Sequence, residues 1–122
     1  MQQVVKALAA RPGVDCAGAL ERLSDNKAMY AQMLWLFFND TSIEKLTDVL
    51  VSGDIQSAIL EAHSMKGTAA NLGLDALSKL AAHICQCLRD QRLKEARSGL
   101  VELELEYSEL SHIVMMEGGH EE

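Results

Sequence analysis

An apolar seam at helical spacing runs through the middle of the chain and constrains its fold more than any other feature. The seam consists of Ile55, Ala58, Ala62, Met65, Ala69 and Leu72, at intervals of 3, 4, 3, 4 and 3 residues. Residues three and four apart share one face of an α-helix, so the seam predicts a helix that packs on one side against other helices. Gly53 and Asp54 precede it as the end of one helix and the cap of the next. Gly73 follows it, either as a helix end or as a point of close approach.

The second half of the chain repeats this pattern twice. A helix capped by Asp75 is predicted from the seam Leu77, Ala81, Ile84 and Leu88. A last helix is predicted from the seam Leu93, Ala96, Leu100, Leu103, Tyr107, Leu110 and Val114. We expect its solvated face to carry Glu102, Glu104, Glu106 and Glu109. The tail from Gly118 to Glu122 is expected to be frayed.

The first half predicts two short helices and a long one. The first short helix covers residues 1–10 and stops at Arg11-Pro12-Gly13; the second runs from Asp15, its N-cap, to Leu23. The long helix covers residues 27–51. Its apolar middle, residues 35–38, is expected to pack on several sides. The polar residues 39–42 are a weak point where we expect a kink or a break.

These elements predict an all-α protein. Four substantial helices joined by short turns, without strand alternation, indicate an antiparallel four-helix bundle with a short extra N-terminal helix. At 122 residues the chain is expected to be one domain, residues 1–122. The core is placed at about residues 14–116, with residues 1–12 and 117–122 peripheral.

Composition excludes several functional classes. A net charge of -7 argues against nucleic acid or an anionic membrane as a partner, because both require clustered Lys and Arg. The longest apolar stretch, residues 33–38, is too short to cross a bilayer, and the N-terminus has no signal-peptide pattern. The three cysteines Cys16, Cys85 and Cys87 are interpreted as reduced thiols of a cytoplasmic protein.

His63 is the outstanding candidate for chemistry. Ala62 and Met65 belong to the seam, so His63 is turned about 100° to its flank. Its neighbours there are mostly small: Ile59, Ser64, Lys66, Gly67 and Ala70, with Asn71 further along. A glycine in mid-helix costs roughly 1 kcal/mol against alanine, so Gly67 calls for a packing or functional reason. Access of a second protein to the imidazole is such a reason.

The residue types suit phosphoryl transfer. Histidine side chains titrate near neutrality, which leaves a neutral fraction available as a nucleophile. A lysine one turn away, Lys66, can neutralise charge on a transferring phosphoryl group. A glycine-rich nucleotide loop and a catalytic carboxylate pair are not found, so an autonomous enzyme is not expected.

Residues 62–73, Ala-His-Ser-Met-Lys-Gly-Thr-Ala-Ala-Asn-Leu-Gly, resemble the signature of histidine-containing phosphotransfer (HPt) domains of bacterial multistep phosphorelays. The family pattern is roughly A-H-x-h-K-G-x-x-x-x-h-G, with h hydrophobic, and every position matches. The resemblance extends over about residues 14–112. It implies that His63 takes phosphate from an aspartyl phosphate of a receiver domain and passes it to another receiver, with Lys66 holding the phosphoryl group and Gly67 leaving room for it.

The same resemblance implies the partners. These are receiver domains of response regulators, expected on a hybrid sensor kinase and on a downstream regulator, docking over Ile59, Ser64, Ala70 and Asn71. The carrier is expected to be a monomer without cofactor or metal, without nucleic acid and without direct membrane contact. It is either free-standing in the cytoplasm or a domain of a membrane-anchored hybrid kinase.

One position departs from the family. Members often carry Glu or Gln on the next helix, facing the histidine ring, and that position falls on Cys85 here. A thiol is a poor substitute for a carboxylate or amide in orienting imidazole. Gln86 or water holds the ring instead, or the tautomer is loosely defined.

Two other readings stay open. The chain could be a helical interaction module without phosphate chemistry, in which the motif serves only as a docking face. It could also bind a metal through His83, Cys85 and Cys87, although a spacing of two residues on a helix points these ligands in different directions.

Overall fold

The computed structural model describes residues 2–118 of the chain and the side chains of residues 3–116. This part holds seven α-helices and no strand, which confirms the all-α prediction. The helices are α1 (Gln2–Ala9), α2 (Cys16–Arg22), α3 (Lys27–Phe38), α4 (Ser42–Ser52), α5 (Ile55–Asn71), α6 (Asp75–Arg89) and α7 (Leu93–Gly118). None of these helices combines the length and the apolar character that a membrane crossing requires.

The central helix α5 forms where the apolar seam predicts it. Gly53 ends α4 in the left-handed region, at φ 83°, and the Asp54 side chain accepts a hydrogen bond from the Ser57 N–H at the start of α5. The seam is buried from its second member onward, at Ala58, Ala62, Met65, Ala69 and Leu72. It packs against α4 and α6, and α6 in turn packs against α7.

The start of α6 differs from the prediction. Leu74 is the N-cap and makes no side-chain capping bond, so the expectation that Asp75 caps this helix is wrong. Leu74 is fully buried and anchors the turn, and the helix begins one residue earlier than a capping Asp75 would require. Asp75 still lies in the first turn, where a carboxylate complements the helix dipole.

The predicted long helix over residues 27–51 is two helices. It breaks between Phe38 and Ser42, within the stretch where a kink or break was expected. The Asn39 side chain donates to the Trp35 carbonyl, and Asp40 accepts from the Thr41 N–H, so both side chains compete with the helix for its backbone groups.

The middle of α3 is packed on fewer sides than predicted. Phe37 and Phe38 are buried, and their rings contact Tyr107 of α7. Leu36, however, is 60% exposed. A high density of apolar residues in α3 therefore does not bury all of them, because α3 has neighbours on only part of its circumference.

The N-terminal segment contributes to the core. Val4 and Leu8 of α1, within the residues expected at the periphery, are buried, and α1 packs against α7. Arg11 follows α1 and forms an ion pair of 2.7 Å with Glu106, whose side chain is only 15% exposed. The prediction that Glu106 lies on a solvated face of α7 is therefore wrong. The side chains of residues 117–122, also expected at the periphery, lie outside the described residues.

The same N-terminal segment holds the turn between α5 and α6. The Asp15 N–H donates to the Gly73 carbonyl at 2.7 Å, and the Ala76 N–H donates to the Gly13 carbonyl at 2.9 Å. Gly73 adopts φ 76°, and a Cβ there would collide with the Asp15 carbonyl, so Gly73 serves both as a helix end and as a point of close approach.

Tyr30 of α3 also holds the end of α5, from the core side. Its hydroxyl is buried and donates to the Leu72 carbonyl at 2.7 Å, directly after α5. Burial raises the pKa of Tyr30 well above the ordinary value of a tyrosine, so the hydroxyl keeps its proton and remains a donor. The C-terminal end of α5 is therefore tied to α3 and to the segment between α1 and α2.

Candidate functional site

His63 stands on the exposed flank of α5. Its neighbours in sequence toward the core, Ala62 and Met65, are 0% and 2% exposed, whereas His63 itself is exposed. Burial of the seam therefore turns the imidazole toward solvent, as the sequence predicts. The ring makes no hydrogen bond with any residue that the structure describes.

The residues predicted around His63 lie on the same side of α5. Ser64, Ala70 and Asn71 are exposed, and Ile59 and Lys66 are half-buried. We use the term His63 face for the side of α5 formed by His63 and its predicted neighbours Ile59, Ser64, Lys66, Gly67, Ala70 and Asn71. Spacings of three, four and seven residues bring most of these positions over one another along the helix.

Gly67 opens this face above the imidazole. A Cβ built on Gly67 would have no atom within 4 Å outside the backbone of its own helix. Close packing therefore does not explain this glycine, in contrast to Gly99 of α7, where a Cβ would lie 3.0 Å from Ile84 Cγ1. The absence of a side chain at Gly67 leaves a low surface one turn from His63.

Lys66 carries a positive charge three residues after His63 on α5. Its carbonyl accepts a hydrogen bond of 2.9 Å from the Ser78 hydroxyl, which ties α6 to α5 at this level. Its ammonium group forms no ion pair or hydrogen bond within the described part of the chain. No described carboxylate therefore competes with an anion that arrives at His63 for this charge.

Cys85 does not replace the ring-orienting Glu or Gln. It is 2% exposed, and its thiol lies 3.9 Å from the Ile59 carbonyl, one turn before His63. The expectation that Gln86 takes over is wrong, because the Gln86 amide donates to Asp90 on its own helix at 3.0 Å. No described side chain therefore fixes the tautomer of His63.

The metal-binding reading gains no support from the geometry. The Cys87 thiol lies 3.5 Å from Nε2 of His83, while the Cys85 thiol faces the Ile59 carbonyl on another side of α6. Among residues 2–118, no three His, Cys, Asp or Glu side chains converge as a metal would need.

Sequence reasoning overlooked Leu60 on this face and Arg22 at its border. Leu60 is 68% exposed and lies three residues before His63, a spacing that was sufficient to find it. Arg22 of α2 donates hydrogen bonds to the carbonyls of Ala70 and Asn71 at 3.0 and 2.8 Å. No local pattern predicts this contact, because it joins segments far apart in the chain.

Comparison with known proteins identifies the family. The model of the Hpt domain family matches residues 32–113, which include all of α4, α5 and α6 and most of α7. Searches of curated proteins and of solved structures return no match. The family match covers the greater part of the chain, including the helix that carries the exposed His63, and the chain therefore belongs to the Hpt domain family.

Proposed function

We propose that this chain is a phosphate carrier that receives a phosphoryl group on His63 from one receiver domain and delivers it to another. Hpt domains are carriers in histidine phosphotransfer rather than enzymes with an ATP site, and receiver domains are their partners. The observation that carries the proposal is an exposed imidazole on a low surface, with open space over Gly67. Lys66 lies one turn further along the helix and supplies positive charge.

The transfer needs no redox partner and no nucleotide. A ring nitrogen of neutral His63 attacks the phosphorus of an aspartyl phosphate, an N–P bond forms, and the P–O bond to the carboxyl group breaks. The electron pair leaves with the aspartate carboxylate, and the proton on the other ring nitrogen stays in place. Delivery to a second aspartate is the reverse step. The ammonium group of Lys66 stabilises the charge on the phosphoryl oxygens.

Open access is the second requirement of this reaction, because the phosphoryl group arrives on a folded receiver domain that must dock against α5. We propose that Ile59, Ser64, Ala70 and Asn71 contact the receiver and that Gly67 provides clearance for the phosphoryl group. The exposure of Ser64, Ala70 and Asn71 supports this assignment. Leu60, exposed on the same face, extends it with an apolar contact.

We infer that the antiparallel four-helix bundle expected from the sequence is formed by α5, α6, α7 and the pair α3 and α4, into which the predicted helix over residues 27–51 divides. The packing of α5 against α4 and α6, and of α6 against α7, supports this arrangement. The partners we propose are receivers of a hybrid sensor kinase and of a downstream regulator, met by a monomeric carrier. A cytoplasmic location, alone or within a membrane-anchored kinase, follows from this role.

The proposal is tested with a phosphorylated receiver domain from the same organism. The wild-type chain should acquire acid-labile phosphate, and the His63→Gln variant should acquire none. His112→Gln is the matched control, since His112 is also exposed but lies on α7. Uptake of phosphate by His63→Gln contradicts the assignment.

Two further results separate carrier from docking module. The Lys66→Ala variant should transfer more slowly with unchanged helix content, because the ammonium group of Lys66 forms no hydrogen bond or ion pair with a described residue. Lost helix by circular dichroism would make Lys66 structural. A chain that binds receivers equally well with and without His63, and forms no phosphohistidine with any donor, would be an interaction module instead.

A further inference from the structure

We propose that Arg22 belongs to the receiver-binding surface and supplies a fixed positive charge for a carboxylate of the receiver. This inference rests on the proposed phosphate transfer and adds a residue from α2 to it. It starts from the hydrogen bonds that place the guanidinium at the end of the His63 face.

The guanidinium is held by the end of α5. Nη2 of Arg22 donates to the Ala70 carbonyl at 3.0 Å and to the Asn71 carbonyl at 2.8 Å, and Nε donates to the Asn71 carbonyl at 3.3 Å. The last carbonyls of a helix lack partners within it and carry its partial negative charge. An arginine bound to them is both a cap and an immobilised cation.

This charge is not neutralised by a carboxylate of the described chain. Arg11 pairs with Glu106 and Glu109, and Arg92 pairs with Asp90 and Glu95. Arg22 has no carboxylate within ion-pair distance among residues 3–116. Its Nη1 group donates to none of their acceptors either, so two N–H donors of an exposed guanidinium stay available.

The distance from His63 fits a receiver footprint. Asn71 lies eight residues after His63, about 12 Å along the helix axis at 1.5 Å per residue. A specific interface of standard size covers about 800 Å² of each partner, equivalent to a disc of roughly 16 Å radius. A receiver centred on His63 therefore covers the position of the Arg22 guanidinium.

A carboxylate is the group that this site would bind. Arginine donors in a fixed fork match the two oxygens of a carboxylate, and the guanidinium is already held in place, so little side-chain entropy is lost on binding. In a chain of net charge -7, an arginine without a carboxylate partner among residues 3–116 also favours one orientation of an approaching acidic surface. Arg22 lies before residues 32–113, the part that matches the Hpt family. Its proposed role in the choice of partner is therefore an addition by α2 to the matched part of the chain.

The test uses the receiver that loads the wild-type chain fastest. We measure the rate of phosphate transfer against receiver concentration for the wild type and for Arg22→Gln, Arg22→Lys and Arg97→Gln. Arg97 is an exposed cation on α7 and serves as the control for a general loss of charge. Each variant is also melted by circular dichroism, which reports the loss of the cap.

Arg22→Gln should raise the apparent KM for the receiver about fivefold at low salt, the effect of roughly 1 kcal/mol for an exposed charge pair. The difference in KM between Arg22→Gln and the wild type should shrink as salt is raised to about 0.5 M, where the Debye length falls below roughly 5 Å. Arg22→Lys should recover part of the affinity, and Arg97→Gln should behave as the wild type. A lowered kcat with unchanged KM, or a KM change that is insensitive to salt, would overturn the proposal and leave Arg22 as a helix cap.

Failure of the underlying function is distinguishable. Phosphoramidate can phosphorylate an accessible imidazole without any receiver. A wild-type chain that takes phosphate neither from this donor nor from a receiver refutes the carrier function. The proposed role of Arg22 is then tested by receiver affinity alone, measured by calorimetry on the same variants. A salt-sensitive loss of affinity in Arg22→Gln supports the site, and an affinity equal to that of the wild type refutes it.

Discussion

Replacing Gly67 should make the protein more stable and a poorer carrier at the same time. A glycine in mid-helix costs roughly 0.5–1 kcal/mol against alanine, and a Cβ at Gly67 meets no atom within 4 Å outside its own helix backbone. Gly67→Ala should therefore recover most of that cost without a steric penalty. For a domain of this length, that raises the melting temperature by roughly 2–6 °C.

Transfer should change in the opposite direction. On the proposed function, the added side chain occupies the space through which a receiver brings its phosphoryl group. Gly67→Ala should therefore slow transfer about tenfold, or about 1.4 kcal/mol of activation free energy. Gly67→Leu should slow it further while keeping the gain in stability, because leucine is nearly as good a helix former as alanine. Phosphotransfer kinetics and thermal unfolding by circular dichroism are measured on the same preparations.

Gly99 provides the matched control. It is also a mid-helix glycine, but its added Cβ would lie 3.0 Å from Ile84 Cγ1 and 3.4 Å from His83 Cδ2, closer than an optimal carbon contact. Gly99→Ala should therefore gain less stability than Gly67→Ala and leave transfer unchanged. Equal transfer rates for Gly67→Leu and the wild type would refute the access argument. A melting temperature of Gly67→Ala below that of the wild type would refute the inference that the space next to Gly67 is open.

The remaining predictions concern anchorage and charge. Tyr30→Phe should cost about 1–3 kcal/mol of unfolding free energy, since it leaves the buried Leu72 carbonyl without its donor; a urea titration showing less than about 0.5 kcal/mol would contradict this. Hydrogen bonds, first from the Ser42 hydroxyl, lower the pKa of Asp40, so its stabilisation is present above about pH 4 and is lost as pH falls through the folded-state pKa. Asp40→Asn should thus melt lower than wild type at pH 7 and converge with it in acid, whereas a pH-independent difference would exclude the charge as the cause. Glu106→Gln should lower the free energy of unfolding by about 1 kcal/mol and lessen its dependence on salt, because it removes the half-buried partner of Arg11. Melting curves of the wild type and the variant that do not change between about 0.05 and 1 M salt would argue against this.

The helices and the orientation of His63 were predictable because they depend on neighbours within a few residues. The seam from Ala58 to Leu72 is buried as its spacing requires, and the caps at Asp15 and Asp54 bind the N–H groups expected of them. Burial on one side of α5 leaves His63 on the flank. The break between α3 and α4 was also predictable, since polar side chains at residues 39–42 compete for backbone groups.

The errors arose where the outcome depended on which element packs next to which. Val4 and Leu8 are buried because α7 extends far enough to cover α1, and a short helix at the start of a chain gives no sign of this. Leu36 is exposed because α3 is covered on only part of its surface. Asp75 entered the helix because a buried Leu74 occupies the cap position.

The sequence by itself determined the helical class, the motif around His63 and its outward orientation, since helical periodicity and capping act over three or four residues. Only the tertiary structure decided how the end of α5 is held and what borders the His63 face. Those contacts join Arg22 to Asn71, Tyr30 to Leu72 and Asp15 to Gly73. They depend on backbone carbonyls, which every residue possesses, so no residue pattern marks them before the chain has folded.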